Sequence, residues 1–298
     1  MKVVLSLTFL ILLMCGVSSC RHSDDGDLAS QISTILSTHD VSAGVAVIIN
    51  DSDTVVVNNN RRYPLMSVFK FHQALAVCDA MARKNCGLDS LIHVNRDDLQ
   101  PDTYSPLRDD SVAAEFDISV ATLLDYTMQL SDNNACDILF DRIVGVKATD
   151  DYIRTFGIND FAIAANEDDM HKNPESCRDN WSSPLALAEL FDKFYHRFVI
   201  TGDYYEFMYN TMIRCHTGAD RLALPLAQTG AIIGHKTGTS DRDSSGRIIA
   251  VNDAGFVELP DGQHYTIAVL VSDSGLDFEA TAAIIADISA VVYACVTK

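Results

Sequence analysis

The sequence contains no Lys/Arg-rich block: 22 Lys and Arg stand against 41 Asp and Glu, giving a formal net charge of −19. With no basic patch to neutralise phosphates, nucleic acid is excluded as a partner. No C-x-x-C pair occurs, and no group of His, Cys or carboxylates has metal-ligand spacing, which argues against a zinc hydrolase and against any metal or cofactor. Only 7 Pro and 15 Gly occur in 298 residues, with no internal repeat or low-complexity tract, so no linker divides the chain. The apolar run at the N-terminus, residues 3–14, falls short of the ~20 residues needed to span a bilayer.

That run fits an export signal instead. Lys2 precedes it and small residues follow it, ending in Val17-Ser18-Ser19-Cys20. These four residues resemble a bacterial lipobox, in which Cys20 becomes the lipid-bearing first residue of the mature protein and anchors it to a membrane. Ordinary cleavage near the same point is the alternative. Residues 1–20 are therefore read as a signal peptide and the mature chain as an exported, periplasmic monomer. Six further cysteines, Cys78, Cys86, Cys136, Cys177, Cys215 and Cys295, are spaced irregularly and read as small, mostly buried apolar residues rather than a disulfide framework.

At 48% hydrophobic residues the chain can bury a large core. Helical periodicity over 29–36 is followed by β-rich stretches at 41–49 and 54–57 around the turn Asn50-Asp51-Ser52-Asp53. Helical pattern dominates the middle, with clear segments at 67–84 and 120–130. β-rich segments return at 231–235, 248–258 and 265–272, and an apolar helix over 278–293 closes the chain. These patterns predict an α/β (α+β) fold: an antiparallel sheet flanked by helices, built from 26–62 and 212–298, with an all-helical lobe from 63–211.

Three short motifs carry chemistry. Ser67-Val68-Phe69-Lys70 opens a helix-patterned segment, and residues three apart share a helix face, so Lys70 can reach the Ser67 hydroxyl and activate it. Read blandly, this is a capped helix with a surface lysine. Ser131-Asp132-Asn133 follows an apolar helix; it describes either a proton relay with an amide-binding group or a helix N-cap. His235-Lys236-Thr237-Gly238-Thr239-Ser240 continues a β pattern, placing Lys236 toward a substrate carboxylate and letting a ligand approach the backbone at Gly238 and Thr239. Alone, it equally describes an edge-strand turn.

Jointly, in this order and on these element types, the motifs resemble the set of class A β-lactamases and penicillin-binding proteins, over residues 29–296. Arg62-Tyr63-Pro64-Leu65-Met66, Tyr104-Ser105-Pro106 and Asn252-Asp253-Ala254-Gly255-Phe256 add to it. The resemblance implies hydrolysis of β-lactam antibiotics through an acyl-enzyme on Ser67, with Lys70 as proton acceptor or relay, Ser131 as proton donor to the leaving nitrogen, and an oxyanion hole of the Ser67 and Thr239 N–H groups. Asn133, Lys236, Thr237, Gly238 and Thr239 would hold the substrate, with Tyr104 at the cleft mouth. The family's deacylating glutamate, counted from Ser131, falls on Glu167, between Asn166 and Asp168-Asp169-Met170-His171; a merely solvated acidic loop is the competing interpretation.

This loop departs from the usual family pattern. His171 stands in place of an asparagine and is expected to help orient the water. Ala165 and Asn180 replace the two partners of a loop-pinning ion pair, and Asp137 replaces an asparagine. These changes resemble extended-spectrum cephalosporinases with an altered Ω loop and a wider cleft. Arg221, Arg242 and Arg247 are further candidates for carboxylate contact, each as well explained by a solvated charge. Alternative functions are a penicillin-binding D-alanyl-D-alanine peptidase and a non-hydrolytic β-lactam sensor.

Overall fold

The computed structural model describes residues 24–298; the signal segment and Cys20 lie outside them. After helix α1 (Asp24–Ser37), strands β1 (Ser42–Ile49) and β2 (Asp53–Val57) form a hairpin. A short strand β3 (Tyr63–Pro64) leads through a 3-10 turn, Met66–Val68, into α2 (Phe69–Arg83). Strands β4 (Leu91–Asn95) and β5 (Glu115–Ser119) pair with each other, with α3 (Pro106–Asp110) between them. Helices α4 (Val120–Gln129), α5 (Asn133–Arg142) and α6 (Val146–Arg154) follow, then β6 (Phe161–Ala162), α7 (Glu167–Lys172) and β7 (Trp181–Ser182). Helices α8 (Pro184–Tyr195) and α9 (Gly202–Met212) precede β8 (Ile232–Thr239), β9 (Ile248–Glu258), β10 (His264–Ser274) and α10 (Phe278–Val296).

The first hairpin and the last three strands make one antiparallel sheet in the order β2-β1-β10-β9-β8. Side chains alternate across a strand. On one face Val45, Val47, Ile267, Val269 and Val271 join Leu28, Ile32, Ile284, Ile288 and Val292 of α1 and α10 in one core. On the other, Ala46, Ile48, Ala254, Phe256, Ala268 and Leu270 meet the helices of the chain's middle in a second, larger core. Strands covered on both faces read as nearly unbroken apolar runs, which is the character of β9 and β10. The length and apolarity of α10 would suffice to cross a membrane, but here it packs on α1, β9 and β10.

At the centre of the larger core, α2 is buried from Phe69 through Cys78. Phe71 stacks on Phe191 of α8 at 4.1 Å and meets Phe194 edge-on at 5.5 Å. None of the six described cysteines forms a disulfide; Cys78, Cys136 and Cys177 are buried and the other three half-buried.

The segment before Ser67 is tied to both halves of the molecule. Tyr63 and Pro64 pair with Ser182 and Trp181, which in turn pair with Phe161 and Ala162, so β3 shares a small sheet with both ends of the loop that carries Glu167. From the large sheet, Asn252 of β9, fully buried, donates through Nδ2 to the carbonyls of Pro64 at 2.7 Å and Leu65 at 3.1 Å, and accepts from the Val271 N–H at 3.1 Å. Replacing Asn252 by Ala strands these buried groups, each costing about 1–3 kcal/mol. Asn252→Ala should therefore lose about 3 kcal/mol in urea unfolding; a loss below about 1 kcal/mol would show that the clamp contributes little.

Candidate active site

The 3-10 turn and first turn of α2 present Ser67, half-buried, to a cleft lined also by Tyr104, Ser131, Asn133, Thr217, Arg221, Thr237 and Thr239. The cleft continues past Tyr104, Asn133 and Thr239 to Met66, Glu167, Met170 and His171. Met66, directly before the serine, and Ser131 adopt left-handed φ of 47° and 61°. Non-glycine residues there are strained by about 1–3 kcal/mol, tolerated where the surroundings over-determine the backbone.

One turn into the helix, Lys70 is fully buried. Its ammonium donates to the Ser131 carbonyl at 2.7 Å and to Asn133 Oδ1 at 2.6 Å, and lies 2.8 Å from Glu167 Oε1. Burial works against its charge, but the Glu167 carboxylate outweighs that and holds the ammonium protonated above its ordinary range. The left-handed turn at Ser131 leaves its carbonyl with one lysine and its hydroxyl with another: Lys236 Nζ donates to Ser131 Oγ at 2.9 Å and to the Thr237 carbonyl at 2.8 Å. Lys236 is pushed down to about 7, by burial first and then by the Lys70 cation. It is wholly buried beneath Ser131 and Thr237, so the side chains of β8 that line the cleft are Thr237 and Thr239.

The two interpretations of Ser131-Asp132-Asn133 both apply. Asp132 is the N-cap of α5, accepting from Ala135 N at 2.8 Å, and it also accepts from Leu107 N and Ser105 Oγ. Ser131 and Asn133 are thereby left for the cleft, Asn133 also donating to Thr103 Oγ1 at 2.8 Å. The glycine of the third motif meets protein rather than ligand: a Cβ at Gly238 would lie 2.4 Å from the Leu65 carbonyl oxygen, so β8 can pass the nucleophile turn only without a side chain there.

Glu167 opens α7, and its two acidic neighbours have other work. Asp169 forms a capping box with Asn166, and Asp168 pairs with Lys172 at 2.5 Å. The helix start is held from below by Asp137 of α5, whose carboxylate accepts from Glu167 N at 2.9 Å and Asp168 N at 2.8 Å. Asn180 fastens the same loop: its Oδ1 accepts from the N–H of Ala164 at 2.7 Å and Ala165 at 3.0 Å, its Nδ2 donates to the Ala165 carbonyl at 2.8 Å, and its own carbonyl accepts from Leu65 N at 2.8 Å.

Residues 27–296 match the Beta-lactamase enzyme family. The chain belongs to that family. It is 38% identical over 288 residues to a β-lactamase of Bacteroides uniformis, covering 96% of this chain and 97% of that one. A solved class A β-lactamase from Bacteroides cellulosilyticus superposes with TM-score 0.86 at 41% identity, over 91% of this chain and 98% of its own. The TLA-3 extended-spectrum β-lactamase superposes with TM-score 0.89 at 37% identity, over 92% and 100%. The fold is thus the antiparallel sheet and helices of the class A β-lactamases.

Several residues of this β-lactamase acquire a place that spacing did not reveal. Arg221 is buried behind β8, donating to the Gly238 and Asn252 carbonyls at 3.1 and 2.8 Å and to Thr239 Oγ1 at 2.6 Å, at the wall of the serine cleft. Arg242 and Arg247 instead brace loops, bonding to Gly246 and Leu276 and to Asp40 and Asp273. His235 bonds Asp253 through Nδ1 at 2.9 Å; burial opposes its charge, but that carboxylate pushes it up to about 10. The one hint in the sequence was an acidic residue on β9, and register puts Asp253 directly opposite Thr237.

His171 does not join the cluster: it is exposed on the last turn of α7 at the cleft rim, and no hydrogen bond links its ring to Glu167 or Lys70. The loop expected to lack a pin is pinned by Asn180 without charge. Among the described residues, spacing also hid one group of potential metal donors away from the cleft, Asp51 with His196 and His264.

Asp137→Ala removes both acceptors under Glu167. Loss of α7 positioning should slow release of the acyl group by about 10- to 100-fold, and its formation by no more than that, measured from the burst and the steady state. Release at the parent rate would mean that Asp137 does not act through the loop.

Proposed function

We propose that the chain hydrolyses the β-lactam ring of cephalosporins and penicillins by acylating Ser67 and releasing the acyl group with water activated by Glu167, so conferring antibiotic resistance. The observation that carries this is a carboxylate, Glu167, 2.8 Å from the buried Lys70 ammonium in the cleft that Ser67 lines. A penicillin-binding peptidase or a sensor has no need of a base for water there.

Lys70 starts out charged, so it can accept the Ser67 proton only after handing its own to Glu167. Whether Glu167 acts directly, through water or through Lys70, the proton ends on Glu167; it leaves to solvent, from which Lys236 regains the one it gives up, before Glu167 acts as base on water. As the lactam C–N bond breaks, Ser131 passes its hydroxyl proton to the nitrogen and is resupplied by Lys236, whose lowered proton affinity suits it to donate near neutral pH. Asn133 and Tyr104 hold the acylamino side, while Thr237, Thr239 and Arg221, backed by the Lys236 charge, receive the substrate carboxylate. Gly238 keeps β8 close enough to the turn for the N–H groups of Ser67 and Thr239 to share one oxyanion.

An extended-spectrum preference rests on the likeness to the TLA-3 extended-spectrum β-lactamase and on the cleft running on past Met170 to Cys177 and Asp241. His171, at that rim, would touch the substrate's side group. The enzyme acts as an exported monomer, its cleft built from one chain, with Cys20 as the lipid attachment point after signal removal; the sequence alone supports the last step.

A chromogenic cephalosporin should be consumed continuously. Glu167→Ala removes the partner that keeps Lys70 charged, so Lys70 can still take the Ser67 proton while no base activates water: turnover should fall roughly 10³-fold and drug accumulate on Ser67, seen as added intact mass; turnover at the parent rate would remove Glu167 from the role of base. For the parent, kcat/KM should fall as pH rises above about 7 and Lys236 loses its proton, by up to tenfold per pH unit. Lys236→Arg, which stays charged but cannot give a proton to Ser131, should lower kcat/KM below about pH 7 by about tenfold and carry that alkaline limb upward by more than one unit. An unmoved limb would assign it to another group.

A further inference from the structure

Where β10 begins, at the end of the sheet opposite to the one that Thr239 of β8 reaches, three side chains from three segments converge. Asp51 sits in the β1–β2 turn with a left-handed φ of 65°. His196 is the C-cap of α8, and His264 opens β10. Both Nε2 atoms reach the same carboxylate oxygen: His196 lies 2.6 Å and His264 2.7 Å from Asp51 Oδ1. The three candidate donor atoms lie within 4.8 Å of one another. A second carboxylate, Asp192 Oδ1, is 3.9 Å from His196 Nε2, one turn earlier on α8.

The arrangement is held from outside. The His264 ring stacks on Tyr195 with centroids 4.7 Å apart, and His196 packs edge-on to Tyr195 at 5.2 Å and to His264 at 5.6 Å. Asn50 fixes the turn to β10, its backbone donating to the His264 carbonyl and its Oδ1 accepting from His264 N, each at 3.0 Å. Both imidazoles are therefore oriented before anything binds, and both aim the same ring nitrogen at one point. Two imidazole nitrogens and a carboxylate oxygen form a donor set suited to a borderline divalent ion such as zinc.

We propose that Asp51, His196 and His264 bind one divalent transition-metal ion of the zinc class, with Asp192 as an outer partner. An ion about 2.0–2.2 Å from each donor needs the nitrogen–oxygen separations to widen to about 3.3 Å. Asp51 makes this possible, because its side chain is 53% exposed while the two rings are more enclosed. None of the three lines the catalytic cleft. The ion would cross-link the β1–β2 turn, the end of α8 and the start of β10, stabilising the fold without entering the reaction.

The test uses the purified, chelator-treated protein titrated with zinc chloride, with bound metal counted after equilibrium dialysis. One zinc per chain is expected, together with a rise in Tm. His196→Gln and His264→Gln should each weaken binding at least tenfold and abolish the Tm rise, while cephalosporin turnover stays within twofold of the parent and certifies the fold. Absence of stoichiometric binding overturns the proposal. So does binding that survives undiminished in both variants, which would place the zinc elsewhere.

Discussion

A single buried ammonium organises the active centre. Lys70 has no contact with bulk water, and a charge in that position is tolerable only if its surroundings replace the lost hydration. Three groups do so: the Ser131 carbonyl, the Asn133 side chain and the Glu167 carboxylate. They come from the α4–α5 junction and from the start of α7, so satisfying one lysine brings together the segments the reaction needs. The strained backbone at Ser131 follows from this demand, because only that turn gives its carbonyl to Lys70 and its hydroxyl to Lys236.

The nucleophile turn is held by a corresponding economy of contacts. Pro64 and Leu65 are gripped from the large sheet by Asn252, from the Glu167 loop by the Asn180 carbonyl, and are brushed by β8 at Gly238. The turn carrying Ser67, the loop carrying Glu167 and strand β8 are thus registered against one short piece of main chain. An error in any of them would be felt by the other two, which suits a reaction in which misplacement by about 1 Å is expensive.

Much of this was legible in the sequence where local rules govern. The strand over 248–258 coincides with β9, and the helix over 120–130 ends one residue beyond α4, because alternation and 3.6-residue periodicity record which face is buried. Motif order located Ser67, Lys70, Ser131, Glu167 and the Lys236 strand, and the structure gathers these about one cleft. What spacing did not resolve were interactions between distant segments. Asp137 and Asn180 looked like losses relative to a family pattern and turn out to be the fasteners of the Glu167 loop. Arg221 looked no different from Arg242 and Arg247 until burial separated them. His171 was assigned by position in the pattern, but α7 turns its ring outward. The convergence of Asp51, His196 and His264 spans separations of 145 and 213 residues, beyond any local rule.

The manner in which Asn180 secures its loop carries a physical consequence. An ion pair at a surface loop is screened over a Debye length of about 8 Å at physiological ionic strength and loosens as electrolyte rises. Amide-to-backbone bonds respond to neither electrolyte nor acidity across the range in which carboxylates and imidazoles titrate. The anchorage that Asn180 gives the loop carrying Glu167 is therefore kept as ionic strength and acidity vary, while the share contributed by the Asp137 carboxylate is open to both.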